Sequence, residues 1–425
     1  MRKPRRWGAE ALFPRRRAWG LRTFGIGAAA AVAAGLVVSV PVRAVAADGT
    51  VNGQPPSVSY PRRAVRWDPA GRITELGTLG GGESRARAIN DDGTIVGWAR
   101  TASGDNHAVR WDPAGRITDL GTLSGGRSSV AVGINDDGTI IGEAAADGGH
   151  SHAVRWDPAG RITDLDTLPG CPEDTAVAVN ADGTIVGWAR TASGDNHAVR
   201  WDPAGRITDL GTLPGYTGSA PDGINADGTI AGTATVAKLQ PRAVRWDPAG
   251  RITDLGSLPG GRSSVAVGIN DDGTIIGQAA ADGGHSHAVR WDPAGRITDL
   301  GALPPRHPES SAVGINADGV IIGRTSEATG ESRAARWDQT GRITDLGTLS
   351  GGESTAYAIN DDGTIIGQAE LRSGYSRAVR WDPAGRITDL GTLPGHNDSS
   401  TVGINAHGTI IGWSDRFDSR QHAVQ

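Results

Sequence analysis

Apolar and polar residues alternate along this chain in short runs, each interrupted by a glycine-containing turn. In the first such run Val65 and Trp67 alternate with Arg66, Asp68-Pro69-Ala70-Gly71 reverses the chain, and Ile73 resumes an apolar position. A period of two marks half-buried strands. Proline presets φ at the second turn residue, and glycine supplies the left-handed residue of a bulge-type loop. That register sets Trp67 opposite Ile73 and Asp68 opposite Arg72. A second hairpin follows, with Asn90-Asp91-Asp92-Gly93 between Ile89 and Ile95. No window beyond residue 46 keeps apolar residues at helical spacing without a Gly or Pro intervening, so no helix is predicted.

The pattern recurs. The tryptophan of Arg-Trp-Asp falls at Trp67, Trp111, Trp156, Trp201, Trp246, Trp291, Trp337 and Trp381, with spacings of 44 to 46 residues. Each unit holds two hairpins, and four antiparallel strands per unit of this length is the sequence form of a propeller blade. The predicted fold is all-β, a β-propeller of eight four-stranded blades. Such a sheet is apolar on both faces and depends on its neighbours; each buried Trp contributes roughly 4 to 6 kcal/mol gross. The Asp-Arg pair recurs in every unit, from Asp112 with Arg116 to Asp382 with Arg386. A cross-strand pair is worth about 0.2 to 1 kcal/mol, which suits it to fixing turn register. One unit departs, with Asp338-Gln339-Thr340-Gly341. The chain ends His422-Ala423-Val424-Gln425, a copy of the strand that opens the first unit. This overlap fits terminal strands sharing a sheet, and equally a remnant of a longer array; seven blades or an open solenoid are the rival architectures.

Composition adds a compartment. Residues 1–46 read as a secretory signal: a basic start, an apolar run from Phe24 to Val42, and Ala44-Val45-Ala46 as a small-residue cleavage site. An uncleaved anchor is the competing reading, and Arg16-Arg17-Ala18-Trp19 only loosely resembles a twin-arginine signal. The expected organisation is signal peptide 1–46, linker 47–62 and propeller 63–425, in an extracellular, secreted or surface-associated protein that meets the membrane only through its signal. The net charge of −5 hides +8 in residues 1–46, so residues 47–425 carry −13. An acidic surface repels phosphate backbones, which disfavours nucleic acid. Two lysines against 40 arginines suggest a GC-rich genome and carry no functional weight. Cys171 is the only cysteine, so the chain forms no internal disulfide.

The phrases His-Ala-Val-Arg-Trp, Ile-Thr-Asp-Leu-Gly-Thr-Leu and Ala-Ile-Asn-Asp-Asp-Gly-Thr-Ile-Ile-Gly resemble the HAF family of extracellular repeats, over all eight units. That family's first phrase is His-Ala-Phe; here Val replaces Phe, and the leading His stands only at His107, His152, His197, His287 and His422, with Arg63, Arg242, Arg333 and Arg377 elsewhere. The resemblance implies an extracellular bacterial repeat protein and no catalytic residues.

Residues 97–123 equal 187–213, and 128–142 closely match 263–277, so the units are recent internal copies. Catalysis needs groups in unlike environments, which near-equivalent blades make hard to build, and the unique residues Tyr216, Lys238, His307, Tyr357, Tyr375 and His396 are scattered. The expectation is therefore no enzyme, no cofactor and no metal. His150 with His152 and His285 with His287 have a spacing usable for Zn²⁺ or Cu²⁺, but no third ligand is specified. The Asn-Asp-Asp-Gly turns lack the EF-hand pattern. Variation concentrates in the loops after Gly-Thr-Leu and after Ile-Gly, where recognition usually sits. Trp98, Trp188 and Trp413 enter the second set, where other units have Glu143, Thr233, Gln278, Arg324 or Gln368. They are the candidate ligand-binding residues, stacking on a sugar ring or merely capping the blade edge. The leading expectation is a non-catalytic, monomeric binding or surface-interaction scaffold for a glycan, cell-envelope polymer or extracellular protein. The alternatives are a structural protein without a ligand and a channel-sited hydrolase or lyase.

Overall fold

The computed structural model describes Ala30–Ala31 and residues 62–416, apart from 148–149, 171–172, 237–239, 283, 305–307 and 327–330. Most of the signal and linker, Cys171, Lys238, His307 and the terminal 422–425 copy lie outside the described residues. Those described are all-β, arranged as eight four-stranded antiparallel sheets. In blade 1 the strands are Gly80–Ile89, Ile95–Thr101, Asn106–Trp111 and Ile117–Asp119, in that spatial order. Each blade's first strand touches the first strand of the next, and Asp398–Ile404 touches Gly80–Ile89, so these innermost strands close a ring. The fold is an eight-bladed β-propeller.

A blade is not a sequence unit. It takes its two inner strands from one repeat and its two outer strands from the next. Blade 8 therefore joins Asp398–Ile404 and Ile410–Asp415 to Arg63–Trp67 and Ile73–Glu75, with Ala64 opposite Trp413 and Trp67 opposite Ile410. Ala30–Ala31 pairs in parallel with Gly403–Ile404 on the inner edge of this blade. The terminal strands do share a sheet, through Ile410–Asp415.

The hairpin registers agree with the pattern: Trp67 pairs with Ile73, and the same pairing recurs in every blade. Gly71, at φ 83°, closes its turn by donating to the Asp68 carbonyl. Arg72 Nε meets Asp68 Oδ2 at 2.7 Å, and six further blades repeat this pair. In the Gln339-Thr340 turn the Asp338 carboxylate instead accepts from the Thr340 hydroxyl at 2.6 Å.

Each Trp of Arg-Trp-Asp is fully buried at the junction with the preceding blade. Trp111, for example, packs with Ile95 and Val109 of its own blade and with Ala64, Leu76 and Ile411 of blade 8. Polar ties then run from blade to blade around the whole ring. Buried Asn90 accepts from Thr94 N and donates to the Asn135 carbonyl, and eight such side-chain donations of 3.1 to 3.4 Å return to the start through Asn405 to Asn90. The arginine of Arg-Trp-Asp forms a second closed ring, donating to the next blade's turn carbonyl: Arg66 to Pro113, onward to Arg380 to Pro69. Asn and Arg thus have structural roles between units that a single hairpin does not disclose.

A third tie caps the third strand of each blade from the next. Ala108 N donates to Ser129 Oγ, which donates to the Gly121 carbonyl at 2.6 Å. The tie between blades 2 and 3 differs twice. Asp166 replaces the left-handed glycine, which is Gly121 at φ 68° one blade earlier, and buried Asp174 replaces the serine, accepting from Ala153 N while its Oδ2 has no hydrogen-bond partner among the described residues. A carboxylate cannot make the serine's donation. Desolvation is the main cause pushing Asp174 up to about 6. Because the folded state holds the proton more tightly than the unfolded chain, native stability falls as pH rises from about 4 to 6 and stays low above that. Asp174→Ser should therefore stabilise the protein by about 2 to 3 kcal/mol at pH 8, with the gain shrinking towards zero below pH 4. Urea unfolding at both pH values checks this; an equal effect at pH 3.5 and 8 would refute it.

Candidate functional site

The two ends of the ring differ. One carries the short turns: Cβ atoms at Gly93 and Gly138 would lie 3.8 and 3.5 Å from Pro113 and Pro158 of their own blades, so both turn sets share a face. Both variable loop sets occupy the other face and touch one another there. Arg127 meets Asp105 at 3.8 Å, Thr217 donates to Asp195 at 2.9 Å, and Tyr216 donates to the Gln240 carbonyl at 3.3 Å. The loops are shorter than the sequence variation suggests, because strands extend into them, as at Gly80–Ile89 and Gly218–Ile224. The histidines on this face carry their own carboxylates: His152 meets Asp164 at 3.1 Å, whereas His150 meets Glu173 at 3.9 Å. Among the described residues no group of three or more His, Cys, Asp and Glu is placed to hold a metal ion.

Trp98, Trp188 and Trp413 are not in loops. They sit within the second strands, opposite Ala108, Ala198 and Ala64, facing the next blade. Trp98 is only 8% exposed, and Trp188 and Trp413 are half-buried. Two of them carry guanidiniums: Arg85 Cζ lies 5.4 Å from the Trp98 ring centre, and Arg62 Cζ 4.3 Å from that of Trp413. Two of the three thus lie under arginines.

What the sequence reading missed is a layer of unlike side chains on the inner strands. A bulge in every first strand leaves one residue unpaired, as between Ala86 and Ala88. That residue is Val132, Val177, Val267, Val313 or Val402 in five blades, but Arg87, Asp222 and Tyr357 in the others. Desolvation holds the Arg87 guanidinium below its ordinary pKa, with Arg85 adding to the effect, and Arg85 is lowered likewise by desolvation and by Arg62. Burial raises Glu143, which lies within electrostatic range of Arg87. It also pushes Asp222 up to about 7 against a weak 3.4 Å hydrogen bond from Thr233. Tyr357 and Ser400 both donate to Gln368 Oε1, at 2.9 and 3.0 Å, linking blades 7 and 8. A carboxyl titrating near neutral pH can give or take a proton, and buried guanidiniums can hold an anion. The signal was available: where two other units read Val-Ala-Val-Gly-Ile-Asn, at 130–135 and 265–270, the first reads Arg85-Ala86-Arg87-Ala88-Ile89-Asn90.

No family model matches this chain, and no curated protein does. Among solved structures it is similar to a puromycin-hydrolyzing peptidase of Mycobacterium tuberculosis at 15% identity, covering 73% of this chain and 53% of that one, with a TM-score of 0.48. It is similar to a streptogramin B lyase at 19% identity, 68% and 96% coverage and a TM-score of 0.39. To an oligogalacturonate lyase in complex with manganese the values are 12%, 66% and 86%, and 0.40. The chain spans about half the length of the puromycin hydrolases it matches. Likeness this remote concerns the propeller architecture alone. The expectation that the chain is not an enzyme is withdrawn: an eight-bladed propeller does not exclude catalysis, and chains described as peptidases and lyases are among those of similar architecture. The physical reason is local. Repetition constrains the framework, while Asp222, Glu143 and Arg87 create the unlike environments that near-identical blades were expected to lack.

Proposed function

We propose that this chain is an extracellular binding propeller that engages a glycan or cell-envelope polymer through its loop face and the inner-strand layer. One observation carries this reading: the turn face is built from residues repeated around the ring, whereas the residues that differ between blades gather on the opposite face and at the inner strands. The HAF-like phrases and the signal-like N-terminus support an extracellular place, and the acidic balance disfavours nucleic acid.

The test is retention of the protein on isolated cell wall and on a glycan panel, against a variant with residues 102–105 and 191–195 scrambled. Retention of the native protein and loss in the variant is the expected result, and equal retention of both, or of neither, refutes the reading. Mass analysis of the retained glycans would show at the same time whether any is cleaved.

A further inference from the structure

In blades 1 to 7 the second and third strands are joined by a local connection, as Ile95–Thr101 is joined to Asn106–Trp111. In blade 8 the third strand, Arg63–Trp67, comes instead from the distant end of the chain. Yet blade 8 also has a local candidate. Nine residues separate Trp98 from His107, Glu143 from His152 and Gln278 from His287, and the same nine separate Trp413 from His422. That histidine sets the register, since Ala99 pairs with His107, Ala144 with His152 and Ala279 with His287. By the same rule His422 falls opposite Ser414, Ala423 opposite Trp413 and Val424 opposite Gly412. In the structure these three residues pair with Arg63, Ala64 and Val65. Ala64 and Val65 are fully buried, and Ala423 and Val424 reproduce them atom for atom. One strand edge thus has two complementary segments in one chain, and it has room for one of them.

Two effects decide which segment holds the edge. The connection of residues 416–421 keeps 422–425 close to it, at a smaller loss of chain entropy than joining opposite ends of the chain. The N-terminal strand has contacts that its rival lacks. Arg62 Nε meets Asp415 at 3.1 Å and its Cζ lies 4.3 Å from the centre of the Trp413 ring, whereas the rival has Gln421 at that place. Arg66 donates to the Pro113 carbonyl at 2.6 Å, where the rival has Gln425. Trp67 Nε1 donates to the Leu390 carbonyl at 2.8 Å. These clamps favour the N-terminal strand and leave the register of its rival intact.

We infer that the outer edge of Ile410–Asp415 is a strand-exchange site: Arg63–Trp67 occupies it in the docked form, and residues 422–425 take its place when the N-terminal hairpin undocks. The inner ring is kept during the exchange, because Asp398–Ile404 and Ile410–Asp415 both touch Gly80–Ile89 without help from Arg63–Trp67. The released hairpin, Arg63–Glu75, becomes a movable arm between the ring and the residues before it. The edge it leaves stays covered, which protects it from pairing with another chain. The inference is independent of the glycan reading.

The experiment is disulfide trapping in the full chain. Arg63→Cys, Ser414→Cys and His422→Cys are combined with Cys171→Ser, and a glutathione redox buffer lets the 414 thiol choose between its two partners. Peptide mapping of the monomer band counts the two bonds and leaves out pairing between copies. A control carries Gln421→Cys in place of His422→Cys, one residue out of register and so on the opposite face. The expected result is a majority of 63–414 bonds, with 414–422 bonds at least about tenfold more frequent than 414–421 bonds in the control. Adding Arg62→Ala should raise the ratio of 414–422 to 63–414 about fivefold, and Trp67→Phe, which removes the indole donor, should shift it the same way. If 414–422 bonds are no more frequent than the 414–421 control, or if neither substitution moves the ratio, the two segments do not share the edge and the inference is overturned.

Discussion

A chain ending at Ile404 is expected to lose its cooperative unfolding transition, with the melting temperature falling by more than about 10 °C. Such a chain lacks Ile410–Asp415, the strand that joins Asp398–Ile404 to Arg63–Trp67. Blade 8 then falls into an isolated inner strand and an outer hairpin with no common neighbour. The cluster holding Trp67 loses Ile410, and the cluster holding Trp111 loses Ile411, so two of the ring's junctions are breached. The Asn405 tie to Asn90 goes as well. In an open solenoid the same deletion would fray one end and leave the rest standing. Differential scanning calorimetry distinguishes the cases: a melting temperature within about 3 °C of the native value would mean that ring closure contributes little.

The second large effect is expected at a glycine that no turn requires. Gly187 lies mid-strand, where a Cβ would come 1.9 Å from the Thr175 carbonyl oxygen and 2.9 Å from Trp201 Cζ3. Neither atom is the free end of a flexible side chain, so backbone or indole must shift. The same crowding, 1.9 to 2.3 Å from a carbonyl, recurs at Gly97, Gly142, Gly232, Gly277, Gly323, Gly367 and Gly412. Gly187→Ala should destabilise by more than about 3 kcal/mol, at the upper end of overpacking costs. Gly194→Ala, at φ 88° with nothing within 4 Å, should cost only about 1 kcal/mol. Chemical denaturation of the two variants side by side checks the contrast, and equal costs would refute the close-approach explanation.

The framework was largely legible in the sequence because its determinants are local. Gly71, Pro69 and the Trp67 to Ile73 pairing are hairpin features, and the spacing of Arg-Trp-Asp counted the blades. The ties between blades were not legible. Asn90 to Asn135 and Arg66 to Pro113 join residues about one repeat apart, and only the curvature of the ring brings them together. Within one hairpin Asn90 reads as turn chemistry and Arg66 as a solvated strand residue. The candidate site was hidden for the opposite reason. Attention to loops favoured Trp98, Trp188 and Trp413, whereas the unlike residues Arg87 and Asp222 stand at bulge positions inside strands, where a period of two places them on no particular face. The exchange of Val for Arg in two alternate positions was readable, but which neighbouring blade those side chains face was not.

Because every blade borrows its outer hairpin from the following repeat, assembly has an order in time. During synthesis, a finished repeat waits for the next before its inner strands are covered, so one incomplete edge travels along the growing chain. Arg63–Trp67, made first among the ring strands, waits for Ile410–Asp415, made last. Until then each of these two ends presents unpaired backbone. The molecule therefore reaches its final form only when nearly the whole chain is free to meet itself, and the first and last strands to be made become neighbours.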